Sequence, residues 1–88
     1  MVSQKVVVQN FSGLHLRPAG VLCGMAGKFE SEITFDFEDS VDVNVKSILS
    51  VLTACVKSGD EILLKCSGVD EEEALKALIK IIDDGLDE

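Results

Sequence analysis

Gly13-Leu14-His15-Leu16-Arg17-Pro18-Ala19-Gly20 is the stretch where the chain first passes from extended to helical, and its reading decides the fold. It holds the chain's only histidine, only proline and only arginine. Gly13 permits a backbone conformation closed to other residues. Pro18 suits a first helical turn, where its missing N–H has no partner to lose. His15 is thereby placed at or just before a helix N-terminus, where free backbone N–H groups and the positive end of the helix dipole gather. Arg17 adds a planar cation within a residue or two. Such surroundings make an anion site around a nucleophilic nitrogen and would favour a phosphoryl group on the ring. A single histidine in a small domain is also commonly a plain surface residue, and on these residues alone both readings stand.

Upstream of this stretch, Gln4 to Gln9 reads as a strand with Val6 and Val8 inward and Lys5 and Val7 outward. Downstream, Ala19, Leu22, Cys23, Ala26 and Phe29 recur at helical spacing to about Lys28. Gly20, Gly24 and Gly27 weaken that helix by up to about 1 kcal/mol each relative to alanine, so tertiary packing must hold it. Glu32 to Phe37 alternates as a second strand, Glu38-Asp39-Ser40 turns, and Val41 to Val45 returns as its hairpin partner.

Ser47 reads as the N-cap of a short helix from Ile48 to about Val56, closed by Lys57-Ser58-Gly59. Asp60 to Ser67 is a strand with Ile62, Leu64 and Cys66 inward. Asp70 caps a last helix, with Glu73 completing a capping box; Ala74, Leu75, Leu78, Ile81 and Ile82 form its buried stripe and Gly85 its end. The order β-α-β-β-α-β-α is the split βαβ arrangement with an added C-terminal helix. It predicts an α+β open-faced sandwich: one four-stranded antiparallel sheet with three helices on one face.

With 88 residues, 47% of them hydrophobic and 27% charged, the chain is expected to form one domain over 1–88 with an ordinary globular composition. Sixteen acidic residues against eight basic leave a net charge of -8, which argues against nucleic acid or an anionic membrane as partner. No stretch has the form of a leader or approaches the roughly 20 apolar residues of a membrane span, so a cytoplasmic location is expected. Cys23, Cys55 and Cys66 lie far apart without a C-x-x-C, and no second histidine accompanies them. Neither a metal site nor a disulfide framework is suggested, and each cysteine is assigned to the core as a small hydrophobe.

The His15 segment resembles the active-site segment of HPr, the histidine-containing phosphocarrier family of the bacterial phosphoenolpyruvate-dependent sugar phosphotransferase system. Val43-Asn44-Val45-Lys46-Ser47-Ile48-Leu49 resembles that family's regulatory-serine segment, and Lys57-Ser58-Gly59-Asp60-Glu61-Ile62 the turn and strand that follow it. The resemblance implies a carrier rather than an enzyme, with no cofactor and no metal of its own. Nδ1 of His15 would accept the phosphoryl group from phospho-enzyme I and pass it to IIA domains of sugar permeases. Arg17 would stabilise the phosphate, and the backbone of Leu16 and Arg17 would cradle it. Ser47 would be a regulatory phosphorylation site, though serine is a favoured N-cap in any case. Ile48, Leu49 and Leu52 would form a partner-docking patch, because so short a helix cannot bury all its apolar residues. Further implied partners are a serine kinase/phosphorylase and a transcriptional regulator, with the chain itself a monomer.

Some positions depart from the family pattern. Leu16 stands for a small alanine, Ser50 and Cys55 for glycines, and Gly24 for a polar residue; the Glu38-Ser40 turn is acidic, lacks glycine and is one residue longer. Two other readings follow: a divergent regulatory paralogue controlling metabolism, or an inert acidic interaction domain.

Overall fold

In the computed structural model, which describes residues 1–87, every expected element is present in the expected order. They are β1 (Val2–Val7), α1 (Leu16–Ala26), β2 (Glu32–Phe37), β3 (Ser40–Asn44), α2 (Ile48–Ala54), β4 (Glu61–Ser67) and α3 (Glu71–Asp83). The strands form one antiparallel sheet in the order β1-β4-β2-β3. β4 and β2 are central because each carries three inward apolar residues, or nearly so: Ile62, Leu64 and Cys66 on β4 are all buried, as are Ile33 and Phe35 on β2. The three helices pack on that face, leaving Ser3, Lys5, Glu61 and Glu32 of the other face exposed. The protein is an α+β open-faced sandwich.

β1 begins two residues before its expected start, because its pairing with β4 runs on to Val2 opposite Cys66. Val6 and Val8 face inward as their alternation requires. Leu22 and Ala26 of α1, Val51 of α2 and Leu78 and Ile82 of α3 share one buried core with Phe35, the largest fully buried side chain. Each fully buried side chain of leucine or phenylalanine size contributes about 1.5–3 kcal/mol.

The β2–β3 hairpin turns through two residues and carries a bulge. Phe37 lies opposite Ser40, so Glu38 and Asp39 alone make the loop, whereas Phe35 lies opposite Val43. β3 therefore spends one more residue than β2 between these pairs. Asp42, at φ 56, carries the bulge and donates its N–H to Asp36 Oδ1 at 2.8 Å. Lys65 Nζ bridges both carboxylates, at 2.8 Å from Asp36 and in contact with Asp42. This pins the hairpin to the outer face of β4.

The expected capping box of α3 is not formed. Asp70 makes no side-chain cap bond; its carboxylate turns to the neighbouring α1–β2 loop and accepts the N–H groups of Glu30 and Ser31, both at 2.9 Å, and the Ser31 hydroxyl. Glu71 takes the local role, accepting the Gly68 N–H at 3.1 Å. At the other end of α3, Gly85 N–H bonds the Ile82 carbonyl and Leu86 N–H the Ile81 carbonyl, a Schellman closure that buries Leu86.

Only one cysteine keeps its expected core place. Cys66 is buried, Cys23 is half-buried with its thiol donating to the Lys46 carbonyl at 3.0 Å, and Cys55 is exposed. The spacing of α2 projected Cys55 inward, but the helix ends at Ala54 and Cys55 is its left-handed C-cap, at φ 59, which redirects the side chain.

Candidate functional site

The site begins with a close approach of two backbone segments. Gly13, at φ +66, packs so tightly on the segment after α2 that a Cβ there would lie 2.7 Å from both Lys57 Cα and the Val56 carbonyl oxygen. No other residue fits. Leu14 N–H donates to that carbonyl at 2.9 Å, and the Asn10 amide donates to the Gly13 carbonyl at 2.7 Å. With Leu14 buried, the next residue is thrust out of the core as α1 starts.

That residue is His15, the N-cap of α1, extended at φ -78 and ψ -173, exposed, and making no side-chain cap bond. Its carbonyl accepts the Ala19 N–H at 2.8 Å and opens the helix. The N–H groups of Leu16 and Arg17 have no intrahelical acceptor, and Pro18 has no N–H to leave unmet. Two donors and the positive helix end thus point at the space beside the imidazole. Arg17 is exposed and enters no ion pair among the described residues.

His15 stands at the lip of a cavity of about 260 Å³ lined by Leu14, His15, Leu52, Cys55, Val56 and Lys57. Of the apolar trio expected on α2, only Leu52 reaches it. Ile48 is 40% exposed, and Leu49, 75% exposed, lines a separate groove between α2 and β3. Two further exposed apolar residues, Phe11 at 95% and Leu16 at 70%, sit on the chain next to His15. Phe11 escaped sequence reasoning because a lone aromatic in a turn carries no periodicity. Lys57 escaped it as well, since only the packing of Gly13 and Leu14 on the segment after α2 brings it near the histidine.

Ser47 is the N-cap of α2, as its position predicts, with Oγ accepting the Ser50 N–H at 3.3 Å. Lys46 ties this start to α1: its ammonium donates to the Phe29 carbonyl at 2.7 Å and its carbonyl accepts the Cys23 thiol. No group of three His, Cys, Asp or Glu side chains among the described residues could hold a metal ion. None of the described helices is long and apolar enough to cross a membrane.

The family model described as "PTS HPr component phosphorylation site" matches residues 2–84. The chain is 39% identical over 79 residues to phosphocarrier protein HPr of Mycoplasma pneumoniae, covering 90% of each protein. It is 40% identical over 78 residues to the HPr-like protein Crh of Bacillus subtilis, covering 89% of this chain and 91% of Crh. The crystal structure of HPr-C-His from Thermoanaerobacter tengcongensis superposes with a TM-score of 0.93 at 38% identity, over 100% of this chain and 98% of the other.

Proposed function

This chain belongs to the HPr family of phosphocarrier proteins, and from that premise we propose that it carries a phosphoryl group on His15 from phospho-enzyme I to IIA domains of sugar permeases. The observation that carries this reading is the exposed N-cap placement of His15, beside the unspent N–H groups of Leu16 and Arg17. A lone pair on Nδ1 attacks phosphorus while the bond to the donor breaks. Charge spreads over the phosphoryl oxygens in the loose transition state; the two N–H groups and the Arg17 guanidinium meet it there. Remaining electrostatic help, including any metal ion, comes from the partner. Exposed Phe11, Leu16 and Ile48 supply apolar contact for docking, with Leu52 at the cavity edge and Leu49 on the flank toward β3.

In the same reading the protein works as a cytoplasmic monomer, and Ser47 is a second, regulatory phosphorylation site served by a serine kinase/phosphorylase. A regulatory paralogue that also meets a transcriptional regulator is the second reading, favoured by the likeness to Crh. Retention of His15 with its donors supports the carrier over an inert interaction domain.

Incubation with phosphoenolpyruvate and enzyme I tests the proposal. Acid-labile label is expected on the parent and none on His15→Ala; acid-stable label, or label on the variant, overturns it. Arg17→Ala is expected to slow transfer about tenfold, the loss of one charge-assisted contact of about 1.4 kcal/mol, with an unchanged melting temperature.

A further inference from the structure

We propose that Lys57 is a second cation of the phosphoryl site, reaching the group on His15 from the segment after α2 while Arg17 approaches from α1. The inference rests on the phosphocarrier reading of His15. Lys57 Cα is the atom on which Gly13 packs, with room for no side chain between them, so the lysine is rooted against the backbone two residues before the imidazole. It lines the cavity at whose lip His15 stands. The root is fixed from both sides: Lys57 N–H donates to Asp60 Oδ2 at 2.8 Å, and the Lys57 carbonyl accepts the Asp60 N–H at 3.0 Å. From that anchor a flexible four-carbon stem carries the ammonium.

The ammonium is also uncommitted. In a chain of eight basic and sixteen acidic residues most cations could find a carboxylate, and several have fixed partners. Lys65 is held by Asp36 and Asp42, Lys80 by Asp84, and Lys46 by the Phe29 carbonyl. Lys57 enters no ion pair among the described residues, and the carboxylate beside it, Asp60, is engaged by Lys57's own backbone. Arg17 is likewise exposed and unpaired. A dianionic phosphoryl group on a molecule of net charge -8 needs local positive charge, and these are the two free cations that the backbone brings to His15.

The test needs no enzyme. Potassium phosphoramidate transfers its phosphoryl group to an imidazole nitrogen with loss of ammonia, and the product's last ionisation is followed by 31P NMR titration. Lys57→Ala is expected to raise that midpoint by about half a pH unit, through removal of one nearby charge. Lys57→Arg should restore the parent value, and Lys76→Ala, on the exposed face of α3, should leave it unmoved. A Lys57→Ala midpoint equal to the parent's, or an equal shift in Lys76→Ala, overturns the proposal. Failure of enzyme I and phosphoenolpyruvate to label His15 while the chemically labelled variants still differ would sink the carrier reading and leave the Lys57 contact standing.

Discussion

Cys55 ends α2 at φ 59 and ψ 41, a left-handed conformation that costs an L-residue roughly 1–2 kcal/mol and a glycine almost nothing. Replacing it with glycine removes that strain at some cost in unfolded-chain entropy. Cys55→Gly is therefore expected to gain about 1 kcal/mol, a rise of about 4–8 °C in melting temperature. The same geometry ranks the thiols. Cys55 is exposed, Cys23 is occupied by the Lys46 carbonyl, and Cys66 is buried, its thiol pushed up to about 11 by burial and then by the charges of Glu71 and Asp70. Because the thiolate is the reactive form, a disulfide reagent at neutral pH should modify one thiol of the native protein quickly and Cys66 only on unfolding. Persistence of the fast equivalent in Cys55→Gly would refute this ranking. What misled the sequence reading of Cys55 was an expected helix end about two residues too late: periodicity assigns a face only while the helix lasts.

Elements were legible wherever a period ran long enough to be sampled several times. α3 repeats its apolar stripe from Ala74 to Ile82, and β4 alternates through Ile62, Leu64 and Cys66, so both stand where expected. The Asp42 bulge and the reach of Asp70 to Ser31 were not legible, because each depends on residues brought together by other strands. The bulge yields a prediction. In Lys65→Met, Asp36 and Asp42 would face each other as uncompensated like charges, so the hairpin should loosen and the melting temperature at pH 7 fall. Asp36 is held below its ordinary 3.8 by the Asp42 N–H and then by Lys65, and its share of stability is present above that value and lost as pH falls through the depressed one. The parent should consequently lose its advantage over Lys65→Met below about pH 4; an undiminished gap in acid would show that the lysine acts through packing alone. The Ser47 capping bond is long at 3.3 Å, so Ser47→Ala should cost only about 0.5–1 kcal/mol, the low end for a lost cap. Ser47→Asp keeps an acceptor and adds charge favourable to the helix start, so it should melt no lower than the parent yet accept phosphate more slowly from enzyme I. Transfer at the parent rate would reduce Ser47 to a cap.

At the scale of the whole molecule two electrostatic effects oppose each other as pH falls. The net charge of -8 repels itself at neutral pH, and titration of ordinary exposed carboxylates toward pH 4 relieves that repulsion. Against this stand three carboxyls that the fold keeps ionised. Asp70 is held below its ordinary 3.8 by the Ser31 hydroxyl and the Glu30 N–H. Glu71 is held below 4.5 by the Gly68 N–H and the Met1 amino group, and Asp36 is held down as described. A carboxyl with a depressed folded pKa stabilises the native state above its unfolded value, and that contribution disappears as pH drops through the folded value. The first effect acts from about pH 5 downward and the second below about pH 4, so the melting temperature should pass through a maximum between about pH 4 and 5 and fall steeply toward pH 3. Added salt, which screens the repulsion, should raise it at pH 7 and do less at about pH 4. Asp70 joins the α1–β2 loop to the start of α3, two parts of the chain about forty residues apart that meet beyond the Glu32–Ser67 end of the β2–β4 pairing. Asp70→Asn should accordingly melt lower than the parent at pH 7 and show a shallower acid limb, because one of the three protonations that unfold the parent has been removed. Differential scanning calorimetry of both proteins from pH 3 to 8 decides it: parallel acid limbs would mean that the Asp70 charge contributes nothing, and that its hydrogen bonds to Ser31 hold equally well for a neutral amide.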